Sequence, residues 1–595
     1  MAKEYLPAGR QWTQRNDGTG TIKCAYNVDL YTNRGSARVS KPLLRVFDTN
    51  TAIDKFDDGI ISTNNGEKID RVAQSFVKYS GDYYALANVP YYTDAIASGA
   101  EYFDVDNWQS DESAIAPDGT GAGVVWDDKL IVEDNSSGFG RLDAYDGSDW
   151  TAWFGTGATP HSESIGNILF MQPSQDGNLY ILDENNYVHK LEPDDTRQMA
   201  DDGDAGTLDF SSEPYEFTCV GDNSTRLFIG FENTSTSRGG IIEWDRSPTS
   251  RTANRIHQLG AIPRVICVWN DMVITILSNG KIKYFNGSNF VDYDGFRLPK
   301  IEGKYDDDFI HPNGWAIIDD MPHFLIKGSK SISGSSSFDK DTQTDLDFPS
   351  AVYCLDPQVG LYPRFALTNN LDAQTEFSSP AVNNVGALYA LEENESKFFA
   401  SYEVYTTNST ANAVTLIAYH DEAVSNAGKG FILFESVGRM QNTKNIELIH
   451  RLLPTNGQIR AFYQEYDTDE QIIDGAWAST TQFNTTDAID VDDKWLAWVK
   501  VGNGAGQFLR VEASNTDNPT NVILFKDANT YASASDFGVL HFVKFRHFGT
   551  IDGNTLDYHT LTLPSEARSR KVKLLLELSQ GAGEVTEIDY GIIDT

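Results

Sequence analysis

Two tryptophans three residues apart, Trp150 and Trp153, follow the turn pair Asp146-Gly147. An indole face stacks well on a sugar ring, so this pair is the candidate glycan-stacking site of the chain. The competing expectation is that both rings pack between sheets. The run Asp201-Asp202-Gly203-Asp204 has the acidic and glycine content of a calcium loop. It lacks the EF-hand spacing and the distal glutamate, so an acidic solvent loop is expected and no metal site. The ten histidines are scattered without an HExxH or paired spacing. His189 and His450 fall inside strand patterns, where a packed or edge role is expected. No G-x-S-x-G elbow is present. The stretch Gly119-Thr120-Gly121-Ala122-Gly123 leads into a strand rather than a helix, which suits a turn and not a phosphate cradle. No catalytic residue and no cofactor is therefore expected. Cys24, Cys219, Cys267 and Cys354 lie too far apart for a CxxC pair and read as buried thiols of a reducing compartment.

Any chemistry would have to come from the 86 acidic residues. Two carboxylates suffice for glycoside hydrolysis, so a propeller glycosidase stays open as an alternative. Ser174-Gln175-Asp176-Gly177 is superficially similar to the Asp-box of sialidases, S-x-D-x-G-x-x-W. Its Asp-to-Gly spacing is one residue short, and no register restores the tryptophan. It reads as a hairpin turn.

The elements that would position such residues are short apolar runs separated by turn signals. Leu179-Tyr180-Ile181-Leu182 follows Asp176-Gly177, and Val273-Ile274-Thr275-Ile276-Leu277 precedes Asn279-Gly280. Asn-Gly and Asp-Gly accept the positive φ of tight hairpins, so the runs read as strand, turn, strand, and the chain as all-β. Between residues 46 and 400 such sets recur at roughly 40 to 60 residues, the spacing of propeller blades, and predict a β-propeller of six or seven blades. One set is Val124-Val125-Trp126, Leu130-Ile131-Val132 and Leu142-Asp143-Ala144-Tyr145. Others begin near Ile168, Leu227, Arg264 and Trp315, and Ala387 to Leu391 closes the series. Polar loops at 193–206 and 327–347 would project from one face. Residues 1–45 are expected to form an arm or hairpin that completes or docks the propeller, with Lys23, Arg34, Arg38, Lys41 and Arg45 gathered on it. From 401 to 595 the strands lengthen and alternate, as with Val572, Leu574, Leu576 and Leu578, which predicts a C-terminal β-sandwich with one wet side.

With 47 basic against 86 acidic residues the formal net charge is −39. That field repels phosphate backbones and argues against general nucleic-acid affinity, although an acidic wall would let DNA slide past without sticking. A saline habitat would produce the same balance. The N-terminal residues lack an apolar signal core and no run approaches a membrane span, so neither secretion nor membrane insertion by this chain is expected.

The segment Tyr26-Asn27-Val28-Asp29-Leu30-Tyr31-Thr32-Asn33-Arg34-Gly35-Ser36-Ala37-Arg38-Val39-Ser40 resembles the opening of tail proteins of tailed bacteriophages. The layout of propeller and then sandwich is similar to the nozzle-type proteins of short-tailed phages. The resemblance implies a non-enzymatic virion protein, made in the host cytoplasm and built into the tail as a homo-oligomeric ring. Its implied partners are the adaptor and portal side and the fibres or spikes, with genomic DNA only in transit during ejection. The first alternative is a host-surface or glycan-binding tail module.

Overall fold

In a computed structural model the chain is described over residues 22–29, 36–40, 43–48, 54–57, 60–62, 71–87, 90–93, 108–111, 122–134, 140–147, 149–155, 161–162, 166–193, 197–198, 208–247, 252–297, 309–328, 350–357, 360–367, 382–405, 413–420, 429–437, 445–449, 453, 457–464, 470–502, 507–515, 521–529, 532–552, 558–564, 572–579, 587–589 and 593–594. All of the regular elements among these residues are strands. The acidic run 201–204, His450, most of the loops 193–206 and 327–347, and the basic side chains expected on the arm lie outside the described part.

Apolar runs that carry no alternation belong to strands covered on both faces. Leu179–Asp183 and Met321–Ile326 are buried along their whole length. The covering comes from seven sheets, and one edge strand of each, its first strand in the circle, lies next to that of the following sheet. These first strands are Ser75–Tyr79, Gly123–Trp126, Ile168–Pro173, Tyr215–Asp222, Pro263–Trp269, Ile310–Ile318 and Val382–Leu391. Val382–Leu391 in turn packs against Ser75–Tyr79, so the seven form a closed circle. The fourth sheet shows the plan: Tyr215–Asp222, Leu227–Asn233, Arg238–Trp244 and Arg255–Gln258 pair antiparallel in chain order. This is β-propeller architecture.

The seams between neighbouring sheets are filled by apolar cores. Val77, Tyr84, Leu130 and Trp150 fill the seam of the first and second sheets. Ile131, Leu142, Ile168 and Ile181 fill the next, and Leu182, Phe217, Ile229 and Trp244 the one after. At the closing seam Phe76 and Tyr83 of the first sheet meet Phe399 and Tyr419 of the seventh, with Phe76 stacked on Phe399 at 5.7 Å. Backbones come close there. A Cβ on Gly386 would sit 2.4 Å from the Ala73 carbonyl oxygen, so only glycine fits.

The seventh sheet consists of Val382–Leu391, Asn394–Tyr405, Ala413–His420 and, as its last strand, Leu44–Asp48 from near the other end of the chain. The boundary expected at 400 therefore falls inside a strand, and the seventh sheet runs on to His420. Strand length misled the sequence reading: Asn394–Tyr405 has 12 residues, yet it belongs to the same circle. The arm serves both parts of the molecule, since Ile22–Tyr26 pairs with Lys429–Val437 of the C-terminal region.

That region holds a five-stranded sheet in the order Ile22–Tyr26, Lys429–Val437, Val572–Ser579, Gln458–Gln464, Arg546–Asp552. It also holds a closed barrel of Glu470–Ser479, Gln482–Thr485, Val522–Phe525, Phe508–Asn515, Leu496–Gly502 and Phe537–Val543. The barrel is inserted between Gln458–Gln464 and Arg546–Asp552, which pair with each other. Trp477, Phe483, Val499, Leu509 and Phe542 fill its interior. Its other face, with Trp498 and Phe508, packs on Phe431, Phe462 and Leu575 of the sheet. Alternation with a wet side is correct for the barrel strand Glu470–Ser479. For Val572–Ser579 it is not: Leu574 to Leu578 are all buried, Glu577 included, because that strand is central and covered by the barrel.

Candidate functional site

The turn from first to second strand is built the same way in three sheets. Asp127-Asp128, Asn270-Asp271 and Asp319-Asp320 each place two consecutive residues at φ between 49° and 65°. Such mirror-image turns match strand twist, and Asp and Asn are the side-chain-bearing residues that accept them most readily. These turns hold hands around the circle. The Tyr79 hydroxyl donates to the Asp128 carbonyl at 3.0 Å, and the Trp126 indole N–H to the Gly177 carbonyl at 2.9 Å. The Gln175 N–H donates to Asp222 Oδ2 at 3.0 Å, and the Ser224 N–H to Asp271 Oδ1 at 2.8 Å. The Trp269 indole N–H reaches the Asp320 carbonyl at 2.8 Å, and the Ser396 hydroxyl donates to Asp319. Lys78 and Tyr83 of the first sheet donate to Glu393 of the seventh and complete the circuit. Each of the seven seams is thus crossed once or more at the level of the turns. Asp127, Asp128, Asp176, Asp271, Asp320 and Glu392 remain exposed on this rim.

Inside the circle the first strands enclose a cavity of about 320 Å³. Its walls include Phe76, Val77, Val124, Val125, Phe170 and Trp315, with Ser75, Gln172 and Asn313 as neutral polar groups and no charged side chain in the lining. Below it, at the end of the strands away from the turns, Ile310–Ile318 bulges over His311-Pro312-Asn313-Gly314. The bulge reaches past the seventh sheet to the first. His311 Nε2 donates to Gln74 Oε1 at 3.0 Å, its Nδ1 accepts the Asn313 N–H at 3.0 Å, and the Asn313 amide donates to the Gln74 carbonyl at 2.8 Å.

This geometry needs a neutral imidazole, because a proton on Nδ1 would face another N–H. Burial holds the His311 pKa down to about 4, from an ordinary 6.5. The unfolded chain therefore takes up the proton first as pH falls. The contribution to stability is complete above pH 6.5 and is lost on the way down to pH 4. Allowing for partial exposure, it amounts to about 2 kcal/mol. Urea midpoints should accordingly fall between pH 7 and 4.5, and His311→Gln should flatten that slope. An unchanged slope would mean that the bridge tolerates the charged ring.

Trp150 and Trp153 do not offer stacking faces. They are 2% and 4% exposed. Trp150 packs against Tyr145 with ring centroids 5.0 Å apart, in the core of the first seam, and Trp153 against Trp126 at 6.0 Å in the second. Each ring fills a seam that its own strand cannot cover, as the competing expectation had it. Ser174 to Gly177 is a tight hairpin closed by the Gly177 N–H on the Ser174 carbonyl at 2.9 Å. Burial works against the charge on Asp176, yet hydrogen bonds from Tyr180 and Asn178 keep its pKa below the usual carboxylate value. Cys219, Cys267 and Cys354 are buried thiols outside any disulfide, and burial pushes Cys219 up to about 12.

The buried carboxylates act as braces. Asp134 and Asp143 share Arg141, and burial raises Asp143 to about 6 against the pull of that guanidinium. Asp222 pairs with Arg246 at 2.5 Å, and Glu243 with Arg226 and with His257. Arg364, 1% exposed, bonds Asp319 at 2.6 Å. Among the described residues no group of three or more His, Cys, Asp or Glu could hold a metal ion, and no helix is long and apolar enough to cross a membrane. Sequence reasoning missed the turn circuit, the cavity and the bridge. The doubled Asp-Asp and Asn-Asp pairs after Trp126, Trp269 and Ile318 were a readable signal for the first, and His-Pro-Asn-Gly for the third.

No protein-family model and no curated protein matches the chain. Among solved structures it is similar to YCF48 from Cyanidioschyzon merolae, at 9% identity and a TM-score of 0.34 over 60% of this chain and 97% of that one. It is similar to the WD40 β-propeller domain of Doa1, at 10% identity and 0.34 over 60% and 95%. BamB from Moraxella catarrhalis gives 9% and 0.31 over 67% and 95%. Scores this low carry nothing about function.

Proposed function

We propose that the seven sheets are the seven blades of one propeller, closed by Leu44–Asp48, and that the C-terminal sheet and barrel form one sandwich-like module. On this reading the protein is a non-enzymatic structural component of a phage tail, set as a ring-forming nozzle or hub element along the DNA exit channel. The observation that carries the proposal is mechanical continuity. A circuit of turn-to-turn hydrogen bonds spans the seven seams, and one arm stitches the propeller to the C-terminal module through Leu44–Asp48 and Ile22–Tyr26. Carboxylates tied into Arg and His pairs serve that rigidity and are poorly placed for acid–base work. The cavity of about 320 Å³ is far too small for a duplex, so a conduit would lie between copies and not through one propeller. Walls of the strongly acidic chain would not hold DNA by its phosphates.

Electron microscopy of the native particle tests the reading. A closed ring of this chain on the DNA axis is the expected result. Peripheral copies would favour an adhesion role, and particles without the chain would sink the virion assignment.

A further inference from the structure

We propose that the axial cavity is a docking pocket for a partner polypeptide that offers one large apolar side chain flanked by lysines or arginines. The pocket is at the small end of ligand sites, which span about 300–1,000 Å³, and suits a side chain better than an extended ligand. Its lining side chains are apolar apart from three neutral polar ones, with polar backbone groups also at the surface, and no cationic side chain is there to neutralise a phosphate or carboxylate. Val125, in the wall, is 38% exposed and is one of three large apolar residues so exposed among the described residues. The His311–Gln74–Asn313 bridge lies at the end away from the turns, with Pro312 and Asn313 in the wall, while Val125 lies two residues before the turn Asp127-Asp128. On the turn side Asp128, Asp176, Asp271 and Asp320 are exposed, as are Asp127 and Glu392, which lie beside Lys129 and Lys78. Their summed potential draws in a cationic segment and turns away an acidic one. The turn circuit holds rim and wall in place before the partner arrives, which lowers the entropy lost on docking. None of this depends on the virion reading, because the pocket belongs to a single copy.

The test uses the purified full chain and a dye-labelled, end-capped heptapeptide with a central tryptophan and two arginines on each side. Fluorescence anisotropy should show saturable binding that weakens as salt rises. Val125→Arg should lower the affinity at least tenfold with an unchanged thermal melt. If that melt shifts, Gln172→Arg from the neighbouring sheet takes its place. Asp127→Asn, Asp128→Asn and Asp320→Asn together keep the turn geometry and should weaken binding severalfold and flatten the salt dependence. A control peptide with serine for tryptophan should not bind. Equal binding of that control, unchanged affinity in the wall variant, or no saturation at millimolar peptide would overturn the proposal. Binding of free indole without binding of the peptide would overturn it in favour of a small neutral ligand.

Discussion

Arg460→Met is expected to lower the unfolding free energy by about 3–5 kcal/mol, the cost of stranding a buried charge. Arg460 Nε donates to Glu577 at 2.7 Å, Nη1 to Asp527 at 2.9 Å and Nη2 to the Phe508 carbonyl at 2.8 Å. It therefore ties the central strand of the C-terminal sheet to the barrel that grows out of that sheet. Asp527 keeps a second guanidinium, since Arg510 holds it at 2.7 Å and 3.0 Å. Glu577, 5% exposed, loses the guanidinium that neutralises it. The double variant Arg460→Met with Glu577→Leu should accordingly recover most of the loss, because neither charge is then buried alone. Urea unfolding followed by tryptophan fluorescence reads both variants. A loss below about 1 kcal/mol for Arg460→Met would place the network among the surface pairs of little worth.

Asn27→Ala is the second large effect, at about 3–4 kcal/mol. Asn27 sits at φ 54° with no exposure. Its N–H donates to the Pro363 carbonyl at 3.1 Å, and its Oδ1 accepts the Ala366 N–H at 3.0 Å. The side-chain amide donates to the Ser40 carbonyl at 3.2 Å. Alanine would keep the backbone in the left-handed region, at about 1 kcal/mol, and would leave the Ala366 N–H and Ser40 carbonyl buried without their partner. Asn27→Gly removes the first cost and retains the second, so it should be milder by about 1 kcal/mol. Thermal melts of the two variants separate the terms. If glycine is no better than alanine, the left-handed backbone contributes nothing and the hydrogen bonds account for the whole loss.

The sequence announced the propeller through its runs: Leu179 to Leu182 and Val273 to Leu277 could be placed because strands buried on both faces have no polar positions to hide them. The first sheet was missed for the opposite reason. Ser75–Tyr79 and Asp82–Leu86 read as mixed polar and aromatic, and their packing in seams, through Phe76, Val77, Leu86 and the tyrosines, shows them to be core. Leu44–Asp48 could not be assigned to the seventh sheet, since nothing local tells a strand which distant partner will pair with it. The barrel likewise depends on closure, a property of six strands together. At the candidate site the tryptophans pointed the wrong way. Trp150 stands beside a turn in the sequence, but its ring turns inward to cover a neighbour's face. The residues that do shape the site are ordinary ones, such as Val125 and Gln74, whose place on the axis comes from the closing of the circle.

That closing sets a timetable. On a ribosome the segment Leu44–Asp48 emerges early, but its partner Ala413–His420 follows some 370 residues later, about 20–75 s at ordinary rates of synthesis. Until then the circle is an open arc with a bare edge at each end, and Ile22–Tyr26 waits longer still for Lys429–Val437. Pairings this distant in sequence are slow to find and leave sheet edges open to the wrong partners. The nascent chain thus carries an open arc until about 420 of its 595 residues are made, and a cell that makes this protein in quantity has to shelter that arc until its first strands find their partners.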